Sequence, residues 1–321
     1  MQDALGRAVR YLRLSLTPAC QMRCVYCRPA LHTNCAPDML GPSELEALAL
    51  RLVEAHGVRK IRLTGGDPTA RPDLLEIIER LARIPGLGEL AMTTNGLSLA
   101  SRARRYVEAG LSRVNVSLDS LDPARFARMT GVDALPRALE GVDAALEAGL
   151  TPVKLNTVVL RDENLQELPE LVRFAAEKGV EIRFIELMPM GPLAGEWRQR
   201  YVPEQDMRRS LDRVVERWRP LAQGSDSARR FRVGLRGGGE ATVGFITPMS
   251  CNFCAACDRI RIASDGAIYP CLMDRPAGSI LPAIRPRFDG ELLDRLLRDA
   301  LARKQPVHPE RGFVTMTVIG G

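Results

Sequence analysis

Three cysteines, Cys20, Cys24 and Cys27, lie within eight residues in the stretch ACQMRCVYCRP, spaced C-x3-C-x2-C. Thiolates this close together are metal ligands by type, and closed metal sites normally take four protein ligands. Three thiols with no close fourth leave two readings. A zinc ion could complete its shell with His32 or Cys35, both near along the chain. Alternatively, a 4Fe–4S cluster takes one thiolate per iron, so three thiolates leave one iron open to a substrate or cofactor. A second group, Cys251, Cys254, Cys257 and Cys271, follows in SCNFCAACDRIRIASDGAIYPCL, and no cysteine lies between Cys35 and Cys251. Cys254-x2-Cys257-x13-Cys271 again offers three ligands. Cys251 makes a formal fourth in a ferredoxin-like C-x2-C-x2-C run, and its ligation would close that site.

The whole composition narrows the setting. The chain has 321 residues, 45 Lys plus Arg against 39 Asp plus Glu, 45% hydrophobic residues and 5% aromatic ones. That length suits one large α/β domain with an appendage. A charge of +6 is compatible with a solvated basic surface or with an anionic substrate. Few aromatic residues and no aromatic RNA-binding motif argue against a nucleic-acid platform. No run approaches the roughly 18 apolar residues of a membrane span. The N-terminal MQDALGRAVR has no apolar signal-peptide core, so a cytoplasmic location is expected. A reducing compartment argues against disulfides among the cysteines.

Six stretches read as strands: RYLRLSLT, KIRLTGG, LAMTTNG, RVNVSLD, PVKLNTVV and EIRFIELM. Helical patterns separate them. PSELEALALRLVEAHG carries a Ser43/Glu46 capping-box pair and a C-terminal Gly57, and three further patterns end at Gly110, Gly149 and Gly179. Such alternation predicts right-handed βαβ units and a parallel sheet. Six units are too few for an eight-stranded barrel, so the expected fold class is α/β, a six-stranded partial (βα)6 TIM-like barrel with a C-terminal extension. Read with period two, Leu12, Leu14 and Leu16 oppose Tyr11, Arg13 and Ser15; Ile61 and Leu63 oppose Arg62 and Thr64. Val114, Val116 and Leu118 likewise oppose Asn115, Ser117 and Asp119, and Val153 and Leu155 oppose Lys154 and Asn156. The apolar faces fit under the helices and the polar faces around an interior cavity; an antiparallel sheet with one wet face is the alternative. Beyond about residue 190, MPMGPLAGEW reads as a connection, EQDMRRSLDRVVERW as a helix and QGSDS as an exposed loop. RRFRVGL and EATVGFIT follow as short strands, and GELLDRLLRDALARK as a late helix.

C-x3-C-x2-C with Tyr26 before the third cysteine, and TGGDP at 64–68 on a strand end, resemble the radical S-adenosylmethionine superfamily. With YLRLSLT, TTNG, RVNVSLD, VKLNTVV, the FC-x2-C-x-R-x-R … DG … CL pattern and a terminal IGG, the chain from about Gly6 to Gly321 resembles the GTP 3′,8-cyclase family of molybdenum-cofactor biosynthesis. The resemblance implies two 4Fe–4S clusters as cofactors. Cys20, Cys24 and Cys27 would hold one, whose open iron binds S-adenosylmethionine; Cys254, Cys257 and Cys271 would hold the other, whose open iron faces guanine. Tyr26, Gly66, Ser117 and Met188 match contacts of S-adenosylmethionine, with Gly65 and Gly66 letting main-chain groups approach its amino group. Arg13, Arg62, Thr93, Lys154, Arg259, Ile260 and Arg261 match GTP contacts. Arg259, Arg261 and the terminal Gly320 and Gly321 count with the first three cysteines as catalytic, the tail entering the cavity on a strand-like FVTMTV base.

The implied reaction converts GTP to (8S)-3′,8-cyclo-7,8-dihydroguanosine 5′-triphosphate, a 5′-deoxyadenosyl radical taking the C3′ hydrogen. The implied partners are GTP, S-adenosylmethionine, an electron donor and the downstream cyclic pyranopterin monophosphate synthase, with no nucleic acid and no membrane. The oligomeric state stays open, a homodimer included. Residues 1–190 would form the barrel domain and 191–321 the auxiliary-cluster and substrate region. The chain departs from the family's usual pattern at Pro18-Ala19 (an Asp-Arg pair), Asp67 (Glu) and Asp258 (Asn), and in having Cys35 and Cys251. The rival readings are another two-cluster radical enzyme such as a peptide maturase, and a non-catalytic iron–sulfur or zinc regulator.

Overall fold

A computed structural model of the chain describes residues 1–27, 39–222, 224, 226–310, 312 and 316–319. His32, Cys35, Gly320 and Gly321 lie outside the described residues. The six sequence-read strands form β1 (Tyr11–Ser15), β2 (Lys60–Thr64), β3 (Glu89–Thr94), β4 (Arg113–Ser117), β5 (Lys154–Val159) and β6 (Glu181–Glu186). Each pairs in parallel with the next, which rules out the antiparallel alternative.

The sheet continues at both sides. After β7 (Val215–Pro220) and β8 (Ala228–Leu235), β9 (Glu240–Ile246) adds in parallel to β6; β10 (Arg259–Ile262) adds in parallel to β1, followed by antiparallel β11 (Ala267–Tyr269) and β12 (Gly278–Ser279). The order is β12-β11-β10-β1-β2-β3-β4-β5-β6-β9-β8-β7, so the twelve described strands make one open sheet with β12 and β7 at its edges.

The two-faced strand pattern holds. Leu12, Leu14, Leu16, Ile61, Leu63, Val114, Val116, Leu118, Val153 and Leu155 are all buried in one apolar core. Helices cover that face with residues spaced for one side of a 3.6-residue turn: Leu45, Leu48, Ala49, Leu52 and Val53 on Pro42–His56, and Leu74, Ile77, Ile78 and Leu81 on Leu74–Ala82. Among the described residues no helix is long and apolar enough to cross a membrane.

Three local expectations are corrected. The Ser43/Glu46 capping box does not form. Pro42, with no N–H to lose, occupies the first turn, Gly41 is the N-cap, and its N–H donates to Glu44 Oε2 at 2.7 Å. Glu46 pairs with Arg80 instead, at 2.8 Å. The helix expected through Trp218 stops at Leu211, and Val215–Pro220 becomes a strand paired with β8. Its apolar spacing is helical, but Trp218 gains Phe231 and Phe245, with ring centroids at 5.6 and 5.9 Å, and Arg208 stacks over all three rings. The base of the tail, Met316–Ile319, is a helical turn rather than a strand.

Gly141 shows how closely a helix approaches the turn that follows β3. It lies within the helix Leu135–Glu147, where Ala normally replaces Gly with a gain of about 1 kcal/mol. Here a Cβ would stand 2.2 Å from the carbonyl oxygen of Gly96. Gly141→Ala is therefore expected to destabilise the protein by about 1–3 kcal/mol in a denaturant titration. An unchanged or raised midpoint would show that the helix can move away at no cost.

Candidate active site

The segment carrying the first three cysteines runs from the end of β1 and is clamped by the end of β2. Gly66 N–H donates to Thr17 O and Asp67 N–H to Ala19 O, both at 2.7 Å. A Cβ on Gly65 would stand 2.3 Å from Thr17 O, and one on Gly66 2.3 Å from Ala19 O. The paired glycines thus first admit the backbone of Thr17–Ala19. Asp67 is buried and holds this corner: its carboxylate accepts from Thr69 N at 2.8 Å, Asn95 N at 2.6 Å and Thr94 Oγ1 at 2.9 Å. Asn95 Nδ2 in turn lies 3.8 Å from Cys20 Sγ. On the other side, Arg23 N and Val25 N donate to Thr130 O and Met129 O at the end of the helix Pro123–Thr130. Tyr26 donates its hydroxyl to Asp119 Oδ2 at 2.6 Å, and burial raises that carboxyl to about 6.

The thiols of this group are close enough to raise one another. Burial, then Asp67, pushes Cys20 to about 11; burial, then Cys20, pushes Cys27 to about 12; burial, then Asp119, holds Cys24 well above its usual value. Such thiols stay protonated at neutral pH until a metal displaces their protons. Three partly buried sulfur donors within electrostatic reach fit iron–sulfur ligation. Among the described residues no three His, Cys, Asp or Glu side chains converge as around a single ion.

The second group sits on the wall of the barrel cavity, which has a volume of about 170 Å³. Cys254, Cys257 and Cys271 line it, together with Arg13, Arg62, Thr93, Met188, Arg259 and Arg261. Cys251 is exposed and is not part of the wall. The loop is fixed chiefly by residues outside the first six strands. Arg7 donates to Cys254 O at 2.7 Å, Lys304 to Arg259 O at 2.7 Å and Cys257 O at 3.2 Å, and Glu186 accepts from Met249 N and Ser250 N. Burial would raise the Cys257 thiol, but Lys304 and Arg259 outweigh it and bring the thiol below its usual value.

The remaining expected residues stand at the cavity's margins. Lys154 is buried behind the wall, 3.8 Å from Glu181, and burial, then Arg183, lowers it to about 8. Ile260 points its side chain into the helix-covered core, leaving only backbone toward the cavity. Ser117 ends β4, and Gly66 and Tyr26 belong to the first cysteine group. Val158 and Ile185 join the two regions: both line the cavity, and both belong to the apolar cluster of Tyr26 against which Cys24 and Cys27 pack.

Several cavity residues had no assigned role. Asn115 and Asn156 already stand on the period-two polar faces of β4 and β5, and the same rule extended to β6 finds Arg183. Asp226, in the stretch expected as an exposed loop, stands 3.5 Å from Arg183 and lines the cavity because β8 returns beside β9; no local signal marks it. Among the described lining residues, Arg7, Arg13, Arg62, Arg183, Arg259, Arg261 and Lys304 face a single carboxylate, Asp226. Arg13 Nε and Asn156 Oδ1 are buried without a partner among the described residues.

A partial parallel barrel with a three-thiol loop after its first strand is the frame of the radical S-adenosylmethionine enzymes. The family model described as the Radical SAM superfamily matches residues 14–175, and that of Molybdenum Cofactor Synthesis C matches 180–310. The fold resembles Streptococcus suis SuiB bound to S-adenosylmethionine, with a TM-score of 0.64, 17% identity and coverage of 92% of this chain and 67% of that one. The chain is 39% identical to the GTP 3′,8-cyclase of Pelotomaculum thermopropionicum over 315 residues, covering 96% of this chain and 95% of that protein. It is 41% identical to GTP 3′,8-cyclase 1 of Pseudomonas aeruginosa over 310 residues, covering 95% and 93%. The chain belongs to the GTP 3′,8-cyclase family.

The position of Cys251 generates a test. Cys251→Ala is expected to retain the iron and sulfide of the anaerobically reconstituted protein in full. Cys271→Ala should lose about four of about eight irons. Equal losses in the two variants would make Cys251 a ligand.

Proposed function

We propose that this chain converts GTP to (8S)-3′,8-cyclo-7,8-dihydroguanosine 5′-triphosphate, the first step of molybdenum-cofactor biosynthesis. The observation that carries the proposal is the cavity wall, where three thiols stand beside seven cationic side chains and only Arg7, with Asp3, and Arg183, with Glu181 and Asp226, have a carboxylate within 3.5 Å among the described residues. Buried like charges are unfavourable unless an anion joins them, and a triphosphate is such an anion. Cys20, Cys24 and Cys27 would hold one 4Fe–4S cluster, and Cys254, Cys257 and Cys271 the other. When bound, the first would supply the electron that cleaves S-adenosylmethionine to methionine and the radical that takes the C3′ hydrogen of GTP; C3′ would then join C8 of guanine as the C8–N7 double bond opens, and one further electron from the donor with one proton from solvent would complete the dihydro product.

The chain's own groups position the reactants. Arg13, Arg62, Lys154, Arg259 and Arg261 take the phosphates, with Arg forks matched to phosphate oxygens. Thr93 and the Ile260 backbone complete the nucleotide's contacts; Tyr26, Gly66, Ser117 and Met188 hold S-adenosylmethionine. The apolar wall of Val158 and Ile185 keeps water from the space between the two regions. Residues 1–190 form the barrel domain, which serves the cofactor and turns Arg13, Arg62, Thr93 and Lys154 to the nucleotide, and 191–321 the auxiliary-cluster and substrate region, although one sheet runs through both. An electron donor and the downstream cyclic pyranopterin monophosphate synthase are the partners this role requires.

The base of the C-terminal tail suits entry into the cavity. Ile319 is fully buried against Ala263 and Tyr269, Tyr269 pairs across from Arg261, and Met316 lines the cavity. Gly320 and Gly321 follow this anchor directly.

Anaerobic incubation of the reconstituted protein with reductant, S-adenosylmethionine and GTP, read by mass spectrometry, should give the cyclised nucleotide. Cleavage of S-adenosylmethionine without a GTP-derived product would point to another radical reaction, a peptide maturase included. Deleting Gly320 and Gly321 should preserve iron content and S-adenosylmethionine binding while cyclisation is lost; a full-length rate would leave the tail without a role.

Lys154→Ala should weaken GTP binding about ten- to a hundredfold and leave S-adenosylmethionine affinity unchanged, as expected for a lost charged hydrogen bond. Unaltered nucleotide affinity would remove Lys154 from the site.

A further inference from the structure

Tyr11 begins β1, is buried and lines the cavity. Register places it directly between Lys60 on β2 and Arg259 on β10, with Arg62 and Arg13 one pleat further on. Four cations therefore surround its ring. Lys60 Nζ lies 4.8 Å from the centroid, the Arg13 guanidinium 5.6 Å, and those of Arg62 and Arg259 5.8 Å each. Arg62 Nε donates to the Tyr11 hydroxyl, so that oxygen acts as an acceptor, and Arg62 continues to Thr93 Oγ1 at 3.2 Å. The other charged groups around it are few. Glu89 on β3 holds Lys60 at 3.3 Å and Arg113 on β4 at 2.6 Å, and Asp258 precedes β10, 3.7 Å from Arg259 Nε.

We propose that Tyr11 is a further positioning residue of the triphosphate site, its hydroxyl oxygen accepting from Arg62 in the free protein and turning to donate to a phosphate oxygen when the nucleotide arrives. The proposal rests on the reading of this cavity as a GTP site.

The exchange involves a proton. Burial alone would raise the phenol, but Arg62, Arg13, Lys60 and Arg259 outweigh it and bring it down to about 7. Above that pH the free protein carries a phenolate as internal counter-anion. A triphosphate placed among the same cations restores the phenol, which takes one proton from solvent and donates it in a hydrogen bond to phosphate. The sign follows: a proton taken up on binding makes affinity fall as pH rises above about 7. Without the hydroxyl there is nothing to protonate.

The experiment titrates GTP by calorimetry into the anaerobically reconstituted wild type and Tyr11→Phe, without reductant or S-adenosylmethionine, from about pH 6.5 to about pH 8.5 and in two buffers of different ionisation enthalpy. At the lowest pH the variant should bind about tenfold more weakly, through loss of the hydrogen bond and of Arg62 alignment. Above about pH 7 the gap should close by up to about tenfold per pH unit, and the wild type should take up more protons than the variant. Lys154 is present in both proteins, so its titration cancels in the comparison. Parallel affinity curves with equal proton uptake would overturn the role of Tyr11 while leaving the GTP site in place. Failure of the wild type to bind GTP would overturn the substrate reading, and this proposal with it. Should the variant not fold, the wild type still decides: affinity and proton uptake independent of pH between about 7 and about 8 would sink the proposal.

Discussion

Mutual repulsion of cations inside a parallel barrel is the constraint on which the rest of the structure depends. Arg13 and Arg261 are both lowered from the usual guanidinium range, Arg13 by burial and then Arg62, Arg261 by burial and then Arg13. A guanidinium stays charged in a protein, so burial beside other cations is a cost that the fold must offset. Rigid surroundings keep the groups together. Each cation stands on a strand whose opposite face is locked under helices, and the strands are hydrogen-bonded in register. The barrel thus holds a positive interior suited to an anionic substrate.

The two ends of the chain complete that interior together. β1 carries Tyr11 and Arg13, and its partner on the open side is β10, nearly 250 residues later, which brings Arg259 and Arg261 into the same row. The short link from Cys257 to Arg259 ties the second cysteine group to this strand. Lys304, from beyond the last long helix, holds the link by its carbonyls. A displacement of β10 would therefore move the cations and the thiols as one unit. The corner formed by Thr17–Ala19 and Gly65–Asp67 does the same for the first cysteine group. There the usual charged pair is replaced by Pro18-Ala19, and the backbone hydrogen bonds, which need no particular side chain, still form.

Much of this was legible in the chain. The six parallel strands, their helix-covered apolar faces and their polar interior faces follow from period two and from glycine stops. Gly57, Gly110, Gly149 and Gly179 all have left-handed backbones. Cysteine spacing alone separated the two ligand groups. Periodicity failed where long-range contacts outweighed local pattern, as at Trp218, which left a helical spacing to join Phe231 and Phe245.

The sequence by itself determined which residue types face inward, because side-chain alternation along a strand is a local property of the backbone. It also supplied the three-thiol groups and the excess of base. Only the tertiary structure decided that β9 and β10 extend the same sheet, that Asp226 from an apparently exposed loop meets Arg183, and that Tyr11 lies among four cations. Those outcomes depend on register between strands far apart in sequence. Register is set by hydrogen bonding and burial across the whole sheet, and no single segment contains that information.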